Sequence, residues 1–175
     1  MSVELKSKCI EWESSAAIDV LKQRASILSN IRRFFDERGV WEVETPLMSH
    51  NTVTDIHLES FAVSYLDDEV FLQTSPEYAM KRLLALGSGS IYQICKAFRK
   101  DECGSHHNPE FSLLEWYRVG FDDRQLMQEV DELLQLVLQC KPAVMVSYAD
   151  LFKNHLSCDP HTLSVEQGMA LLKEH

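Results

Sequence analysis

Two apolar-rich segments, residues 91–98 and 111–118, flank a polar stretch over 100–109 that holds Gly104 and Pro109. Apolar runs of that length bounded by turn-forming residues read as two antiparallel strands with a long loop between them. On such a hairpin Arg99 and Phe111 sit near the base of adjacent strands. The rest of the chain has to be arranged around this element.

Ahead of it, residues 15–38 place Ile18, Leu21, Ala25, Leu28, Ile31 and Phe35 at three- and four-residue steps, the stripe of a long amphipathic helix that Gly39 stops. Residues 40–46 alternate apolar and polar as a half-buried strand does, and Pro46 closes the run because proline cannot donate to a ladder. Further strands are expected over 57–65 and 70–74, joined as a hairpin through the acidic turn Asp67-Asp68-Glu69. Pro76 suits the first turn of a helix over 76–86, which Gly87-Ser88-Gly89-Ser90 ends. Behind the central pair, residues 122–140 form a second amphipathic helix with Leu126, Val130, Leu133, Leu134, Val137 and Leu138 on its apolar side. Short helices are expected near 147–155 and 163–174. The fold class is α+β, with an antiparallel sheet flanked by helices.

Charge limits what this scaffold can hold. The chain has 17 Lys and Arg against 27 Asp and Glu, a net charge of −10, which disfavours a broad phosphate-binding face. An anionic ligand therefore has to be gripped locally, and tRNA is not an expected partner. No apolar run nears the ~20 residues that span a bilayer, and Met1-Ser2-Val3-Glu4-Leu5-Lys6 lacks the order of a secretory signal. A cytoplasmic protein with no membrane partner is expected. The 5 cysteines are odd in number and include no C-x-x-C, against a disulfide framework or a four-cysteine zinc site.

The loop between the two central strands concentrates arginine, acids, paired histidines and an aromatic within the 14 residues 98–111. An arginine fork holds a phosphate by two charge-assisted bonds, and a nearby aromatic stacks on a purine. On residue chemistry alone, Arg99 reads as well as a surface ion pair and Phe111 as well as a core residue. Cys103, His106 and His107 do not by themselves wrap a tetrahedral ion, and no metal site is expected in the chain.

Gly39-Val40-x-x-Val43-x-x-Pro46 after a long helix resembles motif 1 of class II aminoacyl-tRNA synthetases. Phe98-Arg99-x-Asp101 followed by His107-x-x-x-Phe111 resembles their motif 2. Thr74-Ser75-Pro76-Glu77-Tyr78, Met80-Lys81-Arg82-Leu83-Leu84 and the run from His107 to Tyr117 are similar to the lysyl branch. The likeness covers about residues 17–140. About 16 residues precede it, too few for the five-stranded anticodon barrel of lysyl-tRNA synthetases. The pattern, including Val53-Thr54-Asp55-Ile56-His57-Leu58, is most similar to the stand-alone paralogues that attach (R)-β-lysine to elongation factor P.

That resemblance implies ATP-dependent activation of (R)-β-lysine, or lysine, as an adenylate, then transfer to a lysine side chain of elongation factor P. It implies Arg99 as the catalytic cation on the α-phosphate, with Lys100, Asp101 and Asn108 also holding ATP and Phe111 stacking on adenine. Asp101 stands where the family usually has glutamate. Ser75, Pro76, Glu77 and Tyr117, with Glu115, are the implied amino-acid pocket, and Pro46 with the helix before it the implied homodimer interface. Residues 1–16 are then an N-terminal arm, 17–140 the catalytic core, and 141–175 a helical insertion leading towards a third motif. That Gly-rich, Arg-bearing motif is not found after Gly120, so the synthetase-like sheet is expected to be incomplete. Mg2+ is expected with ligands outside this chain, and the chain alone is expected to form adenylate poorly. Two alternatives stand beside this reading: the core of a lysyl-tRNA synthetase, and a non-catalytic remnant that keeps dimerisation or nucleotide binding.

Overall fold

The computed structural model describes residues 16–100, 104, 105 and 107–174. Its centre is the antiparallel hairpin on either side of the loop that carries Gly104 and His107. Helix α1, Ile18–Asp36, has Asp19 in its first turn and Arg33 in its last, both favourable to the helix dipole. It ends at Gly39, whose φ of +66° suits glycine. The Val40 amide returns to the Phe35 carbonyl at 3.0 Å, which folds buried Val40 against the helix end.

The buried face of α1 is Ile31, Phe34 and Phe35, with Ile27 partly buried. Ile18, Leu21 and Ala25, expected on the inner stripe, are exposed. Periodicity locates an apolar face, but burial requires a partner, and among the described residues only the later turns of α1 have one.

Strand β1, Trp41–Glu42, pairs in parallel with β5, Ile91–Phe98. The expected run to Pro46 is thus only two residues of ladder, followed by one more bond from the Val43 amide to the Tyr92 carbonyl at 2.8 Å. The parallel pairing also corrects the expectation of a purely antiparallel sheet. Parallel neighbours need a long crossover, and here residues 43–90 supply it. Strand β6, Glu110–Tyr117, pairs antiparallel with β5 over its full length, from Ile91 opposite Tyr117 to Phe98 opposite Glu110. The sheet order is β1-β5-β6.

Within the crossover lies a second, antiparallel sheet, β2-β4-β3, built from β2 Met48–Ser49, β3 Ala62–Tyr65 and β4 Asp68–Leu72. Tyr65 faces Asp68, so the turn is Leu66-Asp67 and not the acidic triplet; Asp68 and Glu69 are strand residues. A two-residue hairpin turn calls for positive φ, and Leu66 adopts +56°. Residues 57–61 lie outside the strand. Gln73 joins the two sheets: its amide donates to Leu47, its carbonyl accepts from Phe98, and its side chain donates to the Lys96 carbonyl at 2.8 Å. Helix α2, Glu77–Ala85, follows, and turns out at Gly87, φ +86°, whose amide bonds the Leu84 carbonyl.

Side chains alternate across β5 and β6, giving the sheet two unlike faces. Tyr92, Ile94, Leu114 and Trp116 meet α1 and α3, Asp123–Leu138, where Phe35 stacks on Tyr92 with ring centroids 4.5 Å apart. On the opposite face Met80, Leu83 and Leu84 of α2 cover Val43, Ile91 and Tyr117 only. Helix α3 starts with a capping box between Asp122 and Gln125. Its inward residues are Glu129 and Leu133, with Val137 partly buried against the core. Leu126, Leu134 and Leu138, expected on that side, are exposed, because the helix turns Glu129, Leu133 and Val137 towards the core instead. Residues 140–175 form a separate unit with α4, Tyr148–Leu156, capped by Ser147, and α5, Val165–Glu174.

Candidate functional site

At the base of the β5–β6 hairpin the Arg99 amide donates to the Pro109 carbonyl at 2.9 Å, one rung beyond the strands. The Arg99 guanidinium carbon lies 5.1 Å from the Phe111 ring centroid, a cation–π contact between the two residues singled out from the loop. Arg99 Nε also donates to the Thr74 carbonyl at 3.4 Å. The hairpin base is thereby tied to the residue that precedes Ser75, Pro76 and Glu77. Lys100 stands beside them with its ammonium 2.5 Å from the Glu59 carboxylate, both side chains half exposed. Asn108 is exposed on the loop. Gly104 and His107 pinch that loop by reciprocal backbone bonds of 3.2 and 3.3 Å. Asp101 lies outside the described residues.

A second cluster is formed where α2 begins. The Glu77 amide donates to Ser75 Oγ at 3.3 Å, and Pro76 is buried beneath the turn. The Glu77 carboxylate accepts from Lys81 Nζ at 2.5 Å, one helical turn on. From β6, Tyr117 Oη donates to Glu115 Oε1 at 2.7 Å. Burial pushes the Glu115 carboxyl above its ordinary value; the Tyr117 bond opposes this, the Glu77 charge adds to it, and the Lys81 charge opposes it. Burial, then Glu115 and Glu77, raise the Tyr117 phenol, so it stays protonated and a donor. Glu77, Lys81, Glu115 and Tyr117 therefore sense one another although they come from two elements.

A cavity of about 290 Å³ opens between residues 46–53 and the start of α2; Pro46, Thr74, Ser75, Glu77 and Arg82 are among its walls. Arg99, Phe111, Glu115 and Tyr117 do not line it. The hollow thus reaches Glu77 and Thr74 but stops short of Arg99, and the expected site is split over two adjoining surfaces that share residues 74–77. Pro76 packs below the cavity and takes no part in its wall.

Three polar contributors were not singled out from the sequence: Gln73, Gln93 and Lys81. Gln73 donates to Cys95 Sγ at 3.3 Å as well as to Lys96, and nothing in its sequence context marks it. Gln93, 2% exposed, accepts from Thr45 Oγ1 at 3.0 Å; a lone amide within an apolar strand was the available signal. Lys81 was visible as the i+4 partner of Glu77. Among the described residues no group of three or more His, Cys, Asp or Glu side chains is placed to hold a metal ion.

The chain belongs to the family of class II tRNA synthetases (D, K and N), whose description it matches over residues 1–157. Within that class it is similar to the elongation factor P–(R)-β-lysine ligase of Pseudoalteromonas translucida (strain TAC 125), at 56% identity over 169 residues, 93% of this chain and 52% of the relative. The same-named protein of Vibrio vulnificus (strain YJ016) is 53% identical over 169 residues, 93% of this chain and 51% of its own. That of Erwinia tasmaniensis is 53% identical over 160 residues, 88% of this chain and 49% of its own. The chain spans about half the length of these curated relatives.

Proposed function

We propose that this chain carries the nucleotide-gripping and ammonium-binding half of an ATP-dependent ligase that activates (R)-β-lysine and passes it to a lysine side chain of elongation factor P. The observation that carries the reading is the bond from Arg99, seated over Phe111, to the Thr74 carbonyl, which sets a phosphate-type cation beside an acid-rich ammonium site. The names and similarity of the relatives favour this substrate pair over tRNA aminoacylation.

In the first step a carboxylate oxygen of β-lysine attacks the α-phosphorus of ATP, and the bond to the departing pyrophosphate breaks. Two anions must approach in line, so the protein has to neutralise charge and hold both partners aligned. Arg99 does this on the α-phosphate, Phe111 stacks on adenine, and Lys100, Asp101 and Asn108 hold the rest of the nucleotide. In the second step the acceptor amine attacks the acyl carbon and AMP leaves. Throughout, the ammonium groups of the substrate need acids once desolvated. Glu77 and Glu115 supply them, with Tyr117 holding Glu115 in place and Ser75 and Pro76 shaping the turn. Mg2+ is part of the proposal, with its ligands outside this chain. Homodimerisation through α1 and the Pro46 segment is part of the same proposal, supported by the exposed Ile18, Leu21, Leu47 and Met48.

Calorimetric titration with a non-hydrolysable β-lysyl-adenylate analogue tests this. Arg99→Ala is expected to weaken binding about tenfold or more, the worth of a charge-assisted bond. Equal affinity in wild type and variant overturns the reading.

A further inference from the structure

The ammonium site proposed above already contains an ammonium. Lys81 Nζ lies 2.5 Å from Glu77 Oε1, and its side chain remains 57% exposed. An exposed Glu–Lys pair one turn apart is ordinary on a helix and contributes a few tenths of a kcal/mol. Two observations set this one apart. Glu77 also forms part of the wall of the cavity of about 290 Å³, so its carboxylate faces both Lys81 and a space that a ligand could occupy. And the group on Glu77 is a primary ammonium on a four-carbon stem, the same chemical group that a lysine-like substrate would bring there.

Charge counting sharpens the point. Glu77 and Glu115 supply two negative charges, and Lys81 returns one positive charge. With Lys81 in place the cluster balances a single incoming ammonium. With Lys81 swung away, which its exposed stem permits, it balances two. A diamino acid carries two.

We propose that Lys81 is a built-in competitor for the ammonium position on Glu77, so that a diamino-acid substrate binds by displacing it and its affinity is set by that exchange. This rests on the assignment of Glu77 and Glu115 to the substrate's ammonium groups. Lys81 acts through Glu77 and is a specificity-determining residue, not a catalytic one. Retaining a cation at position 81 preserves the competition; removing it leaves both carboxylates for the substrate.

The test is calorimetric titration of (R)-β-lysine into the wild-type chain and into Lys81→Met, Lys81→Arg and Glu77→Gln, with circular dichroism confirming that each variant is folded. Lys81→Met is expected to bind about two- to fivefold more tightly, the equivalent of releasing an exposed ion pair. Lys81→Arg is expected to stay near wild type, and the gain in Lys81→Met is expected to shrink as salt is raised. Glu77→Gln is expected to bind more weakly. If Glu77→Gln weakens binding while Lys81→Met binds no tighter than wild type, the competition is refuted and the ammonium assignment stands. If Glu77→Gln binds as well as wild type, or no protein binds β-lysine, the assignment falls and the competition with it.

Discussion

The two faces of the β5–β6 hairpin are made by the same 16 strand residues and have opposite chemistry. One face, Tyr92, Ile94, Leu114 and Trp116, is closed by α1 and α3 around Phe35, which has no exposed surface. It also holds a buried, paired acid: Glu129, 5% exposed, accepts from the Trp116 indole at 3.0 Å and lies 3.1 Å from Arg118 Nε. On the other face α2 covers the Ile91–Tyr117 end, and Ala97 and Gln93 are buried further along. Along the rest of it stand Gln93, Cys95, Phe111, Leu113 and Glu115, mostly half-buried. The lesson is a division of labour across one sheet thickness. The packed face holds the strands rigid so that the open face can keep desolvated polar groups without collapsing onto them.

Breaking the packed face gives the largest effect. Phe35→Ala removes a ring that stacks on Tyr92 and lies 5.5 Å from Trp116, at an expected cost of about 3–5 kcal/mol in urea unfolding. A loss under 1 kcal/mol would mean that this face is not what holds the hairpin. Glu129→Ala comes next, because it removes the carboxylate that pairs with the Arg118 guanidinium and accepts from the Trp116 N–H; about 3 kcal/mol is expected. Glu129→Gln keeps an oxygen for Trp116 and is expected to cost distinctly less, which unfolding midpoints of the pair would show.

On the open face the expected change is smaller and appears in titration. Tyr117→Phe deletes one hydrogen bond to a half-buried carboxylate, about 1 kcal/mol. The Glu115 carboxyl is already raised, mainly by burial. A raised carboxyl adds stability below its unfolded value, and that stability is lost as pH climbs through the elevated folded value. Because the Tyr117 bond favours the ionised form, its removal moves the Glu115 midpoint, and the pH range of that loss, further upward. A carboxyl-carbon NMR titration checks the direction, and a downward or absent shift would contradict the cause assigned here.

Much of the scaffold was legible. The residues of β5 and β6 are apolar-rich and bounded by turn formers, so their pairing and the nearness of Arg99 to Phe111 followed from local pattern. The helices announced themselves by period and by the glycines and prolines at their ends, such as Gly39 and Pro76. What local pattern missed depended on neighbours distant in sequence. Leu126, Leu134 and Leu138 match the helical stripe as well as Leu133 does, yet of these only Leu133 is buried, since the side of α3 that faces the core carries Glu129, Leu133 and Val137. The parallel seating of β1 was equally hidden, because two residues carry no signal of strand direction.

The sequence by itself determined the central hairpin and the long helices, which rest on short-range pattern and on turn-forming residues, and the synthetase class, which rests on the resemblance of residues 39–46 and 98–111 to known motifs. The tertiary structure alone decided that Glu129 is an interior acid, that Gln73 links two sheets, and that Lys81, Glu77, Glu115 and Tyr117 form one electrostatic group. Burial and Coulomb interaction depend on distance in space, and distance in space is set only when the chain has folded.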